Sequence, residues 1–188
     1  QEVAYAWRTL PVPVVCAIQG MCYGGGLQIA LGADLRLCTP DCKLSIMEAK
    51  WGLIPDKSAS VTLRELIPID VAKELTWTAR VIDGTEAARL GLVTRVVEGD
   101  PQDKAQALAL EMVQQSPDSI AAAKELYHHT WAAPSASYCL RVESQLQERI
   151  LLTWNQMAAL VRAVGGWKVP YFQRSKPHPP VAASTVND

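Results

Sequence analysis

Apolar residues cluster near the start of the chain in short runs and later at helical spacing. Residues 12–18, VPVVCAI, are nearly all apolar, rich in Val and preceded by Pro11, which reads as a strand buried on both faces. Three glycines follow, Gly24, Gly25 and Gly26, and then GLQIALGA, a short helix that starts at once. DLRLCT (34–39) and KLSIM (43–47) alternate polar with apolar residues and predict two more strands, with a turn at Pro40 and Asp41 between them. EAKWGLIPDKSAS (48–60) has no clean period and reads as loop with a short helical turn.

From about residue 61 helices dominate, and their ends carry start and stop chemistry. Thr85 is placed to N-cap EAARL, Gly91 to end it, and LVTRVV then reads as a strand. Asp100 and Pro101 open a helix with Ala105, Leu108, Ala109, Met112 and Val113 on one face. Ser116 and Pro117 repeat the device, opening a helix whose stripe is Ile120, Ala123, Tyr127 and Trp131, and another helix covers roughly 137–151. Strands with short helices come first and a helical third comes last, the layout of an α/β core with an appended helical layer. The expected division is a core over 1–116, a helical region over 117–172 and a Pro-rich, polar, disordered tail over 173–188. The chain opens on Gln1, and Val3, Ala6 and Leu10 at helical spacing read as the tail of a helix already under way, so an N-terminal cut is expected.

Composition narrows the partners. With 188 residues, 49% apolar and 20% charged, the chain is long enough to bury roughly two thirds of its unfolded surface. The formal charge of −1 and the absence of any run of Lys or Arg longer than two argue against nucleic acid or an anionic membrane as partner. No apolar stretch approaches the ~20 residues of a membrane span, so a soluble protein is expected, with its compartment unknown. Five cysteines, an odd count, fit free thiols in a reducing compartment. Cys38 and Cys42 lack a second pair, and His128, His129 and His178 lack zinc spacing, so no metal is expected. His128 and His129 are expected at the surface, Trp77 and Trp131 in core or interface packing, and Asp34 in a structural role.

The glycines invite a nucleotide reading, which fails on spacing. Counted from Gly24, a dinucleotide fingerprint needs Gly or Ala at position 29, which is Ile29, and no Gly-Lys-Ser/Thr or Gly-x-Ser-x-Gly occurs. Two readings stay open. The glycines can allow close helix-to-strand packing, or they can present freed N–H groups at a helix start to a carbonyl oxygen that gains charge.

The stretch AIQGMCYGGGLQIALGADLRL (17–37), with LSIMEAKWGLIPD (44–56) and VIDGTEAARLGLVTRVV (81–97), resembles the crotonase, or enoyl-CoA hydratase/isomerase, superfamily over about residues 4–172. The resemblance implies a spiral of ββα units with a helical C-terminal trimerisation layer, and assembly as a homotrimer or dimer of trimers. It implies an acyl-CoA thioester as substrate and no cofactor beyond it. By the same likeness Gly25 donates one of two backbone N–H bonds to the thioester oxygen, with Gly24 and Gly26 beside it. The second donor and part of the CoA surface belong to a segment upstream of this chain.

Moving protons beside a thioester carbonyl requires an acid and a base. Family hydratases use two glutamates; the first position is Gln28 here, an amide that can orient water or a carbonyl but cannot take up a proton. The second is retained as Glu48. Asp56 stands where a dienoyl-CoA isomerase branch has an acid, which implies double-bond isomerisation, although Asp56 is also placed to N-cap the helix SASVTLREL. Its neighbours Leu53 and Ile54 are an apolar setting that would raise a carboxyl pKa. The expected activity is an isomerase acting through Glu48, Asp56 and Gly25. The alternatives are a hydratase using Glu48 with Gln28 holding the water, and a non-catalytic acyl-CoA-binding or assembly subunit.

Overall fold

The computed structural model describes residues 1–133 and 135–174; the expected tail from residue 175 on, with His178, lies outside the described residues. The chain divides into two units, Gln1–Met112 and Val113–Asp188.

The first unit opens with α1 (Glu2–Thr9), followed by β1 (Val15–Ile18) and β2 (Met21–Tyr23). Gly20, at φ +70, makes the break between these two strands, so the strand that runs into the glycines is β2 and not the VPVVCAI run. Next come α2 (Gly25–Leu31), β3 (Leu35–Cys38) and β4 (Lys43–Ser45). A 3₁₀ turn (Glu48–Trp51), α3 (Ala59–Leu66), α4 (Ile69–Thr78), β5 (Ile82–Asp83), α5 (Gly84–Leu90), β6 (Arg95–Val96) and α6 (Pro101–Met112) complete it.

The strands form two small sheets. One runs β1-β3-β6, all parallel, and the other β2-β4-β5, with β2 parallel and β5 antiparallel to β4. The first four strands therefore alternate between the sheets, and the two strands flanking Gly20 belong to different ones. Leu27, Leu37, Leu44, Leu75, Ile82 and Leu92 are fully buried between the elements, each such side chain contributing about 1.5–3 kcal/mol. Asp34 has the structural role expected: its Oδ2 accepts from Val14 N at 2.7 Å, holding the entry of β1.

Several expectations are corrected here. β1 is not buried on both faces, since Val15 is only half-buried and Ala17, on the same face, is exposed; it also lies at the edge of its sheet with only β3 beside it. In α1 the buried residue is Ala4, while Val3 and Leu10 are exposed, since close approach to α2 selects the smallest side chain. The N-cap of α5 is Asp83 rather than Thr85: Asp83 Oδ1 accepts from Glu86 N at 2.8 Å. Asp100 does cap α6, accepting from Gln102 N at 2.8 Å, and Gly91 ends α5 at φ +94.

The second unit contains α7 (Pro117–Thr130), α8 (Ala136–Ile150) and α9 (Trp154–Gly165). Ser116 caps α7 as expected, accepting from Ser119 N. The expected stripe does not face inward: Ala123, Tyr127 and Trp131 are exposed, and the buried positions are Asp118 and Ala121. Trp77 and Trp131 are both exposed, so neither belongs to a core. The histidines are half-buried rather than at the surface, with His129 Nδ1 3.5 Å from the Tyr138 hydroxyl. Among the described residues no helix is long and apolar enough to cross a membrane.

Candidate active site

The three glycines do three different things. Gly24 sits at φ 52, ψ −122, outside the range of residues with a Cβ; its N–H donates to Ser45 O at 2.9 Å and its carbonyl accepts from Gln28 N at 3.0 Å. A methyl group there would stand 3.3 Å from Glu48 Oε1. Gly24 is therefore the packing glycine, letting β2 turn into α2 against the glutamate. Gly25 is the first residue of α2, so its N–H has no acceptor within the helix. Only the stem of the Lys57 side chain stands near it. Gly26 has open space beside it.

Glu48 begins the 3₁₀ turn, which Gly52 closes at φ 70 in the left-handed region. The turn folds the carboxylate back under the glycines, leaving it only 8% exposed. Oε1 accepts from Gln28 Nε2 at 2.5 Å, and Gln28 Oε1 accepts from Lys57 N at 2.6 Å. Glu48 Oε2 is buried with no hydrogen-bond partner among the described residues. Leaving such an oxygen unpaired costs about 1–3 kcal/mol or more, an expense commonly met at sites where a substrate supplies the missing proton.

Glu48 is also one of the residues lining a cavity of about 470 Å³, with Tyr23, Gly24, Gly25, Met47, Trp51, Leu53, Ile54, Asp56 and Lys57. Gly25, Glu48 and Asp56 thus share one cavity. Trp51, Leu53 and Ile54 are largely exposed along it, an apolar wall open to solvent. Gln28 does not line it, and its amide is occupied by Glu48 and the Lys57 backbone.

Asp56 departs from expectation in two ways. It does not cap a helix: Ser58 holds the N-cap position of α3, with no side-chain bond. Its carboxylate points to solvent, 3.2 Å from Lys57 Nζ. The hydrogen bond and charge of Lys57 hold its pKa below the ordinary carboxylate range, where apolar neighbours predicted a rise. Asp56 accordingly remains ionised to lower pH than an unpaired aspartate.

All five cysteines are free. Burial pushes the Cys22 and Cys42 thiols up to about 12, which makes them poor nucleophiles. Among the described residues no group of three or more His, Cys, Asp or Glu side chains is placed to hold a metal ion. Lys57, whose side chain pairs Asp56 and whose backbone anchors Gln28, carries no signal in the sequence; only the folded loop brings it there.

An α/β framework that sets one buried carboxylate against a glycine turn with a free N–H, under an apolar cavity, defines a site suited to proton transfer beside a carbonyl. The chain belongs to the enoyl-CoA hydratase/isomerase family, whose model matches residues 1–157, and its fold is that of the crotonase superfamily. It is 38% identical to carnitinyl-CoA dehydratase of Citrobacter koseri over 126 residues, 66% of this chain and 48% of that protein. An enoyl-CoA hydratase from Polaromonas sp. JS666 superposes with a TM-score of 0.82 at 27% identity, covering 89% of this chain and 65% of that one. A Thermobifida fusca structure in complex with acetoacetyl-CoA superposes with a TM-score of 0.72 at 31% identity, covering 77% and 57%. The chain spans about half the length of the curated relatives it matches.

Proposed function

We propose that the full-length protein shifts a carbon–carbon double bond in an enoyl- or dienoyl-CoA thioester. The observation that carries this reading is Glu48, with its Oε2 buried and unpartnered among the described residues, lining the same cavity as Gly25. Oε2 takes a proton from the carbon next to the thioester carbonyl. The electron pair moves through the conjugated system onto the thioester oxygen, where the Gly25 N–H, with a second donor, stabilises the charge. The proton then returns to a carbon farther along the chain and the double bond is left in conjugation. With one carboxylate in the buried part of the site, Glu48 is the natural group to return it. Asp56, ionised and paired with Lys57, must first leave that partner and take up a proton before it can serve as an acid. The complex of a structural relative with acetoacetyl-CoA supports a CoA thioester as ligand. No further cofactor enters the scheme.

A second reading, hydration or dehydration, is favoured by the relatives, which include a dehydratase and a hydratase. The occupied amide of Gln28 weakens the version in which it holds the water. The two separate by assay of the full-length protein with 3-enoyl- and 3,5-dienoyl-CoA against 2-enoyl-CoA. Isomerisation is expected to dominate and to fall by at least 10²-fold in Glu48→Gln, the range of a lost general base. Robust hydration that survives Asp56→Asn would instead select the hydratase. Binding of acyl-CoA with no turnover of any of the three substrates would select a non-catalytic subunit.

A further inference from the structure

We propose that Gln28 is a positioning residue that fixes Glu48 as a lone, single-proton carboxylate and leaves Oε2 as the atom that exchanges the proton. The inference rests on the proposed role of Glu48 and concerns how that role is enforced.

The orientation of the amide follows from its partners. Lys57 N is a backbone N–H and can only donate, so the group facing it is the Gln28 oxygen. The other end is then NH₂, which can only donate, and it faces Glu48 Oε1. Gln28 is 1% exposed on α2, where Leu27, Ala30 and Leu31 are buried as well, so its side chain has little freedom. Glu48 Oε1 is confined on its other side by Gly24, where even one added methyl group would stand 3.3 Å away. One oxygen of the carboxylate is therefore clamped and the other is left for chemistry.

A glutamate at position 28 would behave differently. Its oxygen could still accept from Lys57 N, but it could donate toward Glu48 only while it carried a proton, and two adjacent carboxylates share one. Gln28 supplies a donor that never titrates. The titratable groups lining the same cavity are Tyr23, Asp56 and Lys57, and none of them replaces this donor in the structure.

The test compares the full-length wild type with Glu48→Gln, Gln28→Met and Gln28→Glu, measuring kcat and KM for 3-enoyl-CoA from pH 5 to pH 10. Gln28→Met keeps the length of the side chain without its hydrogen bonds. It is expected to keep KM within about twofold and lose about 10- to 100-fold in kcat, as small displacements of a reacting group do. Gln28→Glu keeps the bond to Lys57 and is the safer variant for folding. It should work only while the pair holds its shared proton, so its rate falls on the alkaline side where the wild type remains active.

A Gln28→Glu profile that superimposes on the wild type would overturn the positioning role, as would a Gln28→Met loss confined to KM. If Glu48→Gln is inactive while both Gln28 profiles stay in place, only this inference falls. If Glu48→Gln turns over at the wild-type rate, the proton-transfer reading falls and takes the inference with it.

Discussion

Gly24 and Gly25 are neighbours, yet a methyl group on each would meet different surroundings. At Gly24 it would meet Glu48 Oε1 at 3.3 Å, from a backbone with φ 52 that an L side chain rarely adopts. Gly24→Ala is therefore expected to lose about 1–3 kcal/mol of stability and to disturb the clamped carboxylate. At Gly25 the backbone is already helical and the nearest atom is Lys57 Cδ at 3.4 Å, on the stem of a flexible side chain. Gly25→Ala should fold with a stability within about 1 kcal/mol of the wild type and lose kcat/KM, because its methyl group stands in the cavity where the thioester is to approach. Urea melts and initial rates on the two variants check the contrast; equal loss of stability in both would remove it. Glu48 and Gly25 could be marked on the sequence because the family likeness fixed their register. The engagement of Gln28 could not, since its partners lie 20 and 29 residues away and are joined to it only by the folded loop.

At the scale of elements, the second unit shows what periodicity misses. Asp118, near the start of α7, is buried, and its Oδ2 accepts from Asn155 Nδ2 of α9 at 2.7 Å. Asn155 also receives the Phe172 N–H at 2.8 Å, so one amide ties two helices to the segment that follows them. Asn155→Ala removes these bonds together with the one its Nδ2 donates to Phe172 O at 3.2 Å, and deprives a buried carboxylate of a donor, which should cost about 2–4 kcal/mol. Asn155→Asp, which keeps the shape but sets a like charge beside Asp118, should cost at least as much, and thermal melts of the two variants check it. Hydropathy reads Asp118 as a solvated helix start and so turns α7 to the wrong face. The buried side is lined by Asp118 and Ala121, while the more apolar stripe through Tyr127 and Trp131 lies outward. Helix ends were more legible than faces. Ser116, Asp100 and Gly91 act through bonds to residues within a few positions, whereas the choice of packing face depends on partners far along the chain. The same reason explains β1, whose apolar run describes a central strand although the structure gives it one neighbour.

For the molecule as a whole, the balance of buried and exposed apolar surface differs sharply between the units. The first has a continuous core reaching from Ile18 to Val93, whereas the second buries Val142 and Leu146 with Leu126 and Tyr138 packed around them. Yet α9 presents Trp154, Met157, Val161 and Val164 at steps of three and four residues, all exposed, while Asn155 and Ala158 are buried. A stripe of this kind is suited to an interaction surface, and the occupant we propose for it is another copy of the chain. The full-length protein is expected to sediment at the mass of a trimer or hexamer at micromolar concentration. Val161→Lys combined with Val164→Glu changes only exposed positions, so the helical circular dichroism should persist while the sedimenting mass falls toward the protomer. If the wild type sediments as a monomer, or the double variant keeps the wild-type mass, the α9 stripe is not the assembly surface. A fall in mass with unchanged acyl-CoA binding would further show that the carboxylate site and its glycine turn stand complete within one protomer, whereas binding lost with assembly would mean that a neighbouring copy closes the cavity beside Trp51 and Ile54.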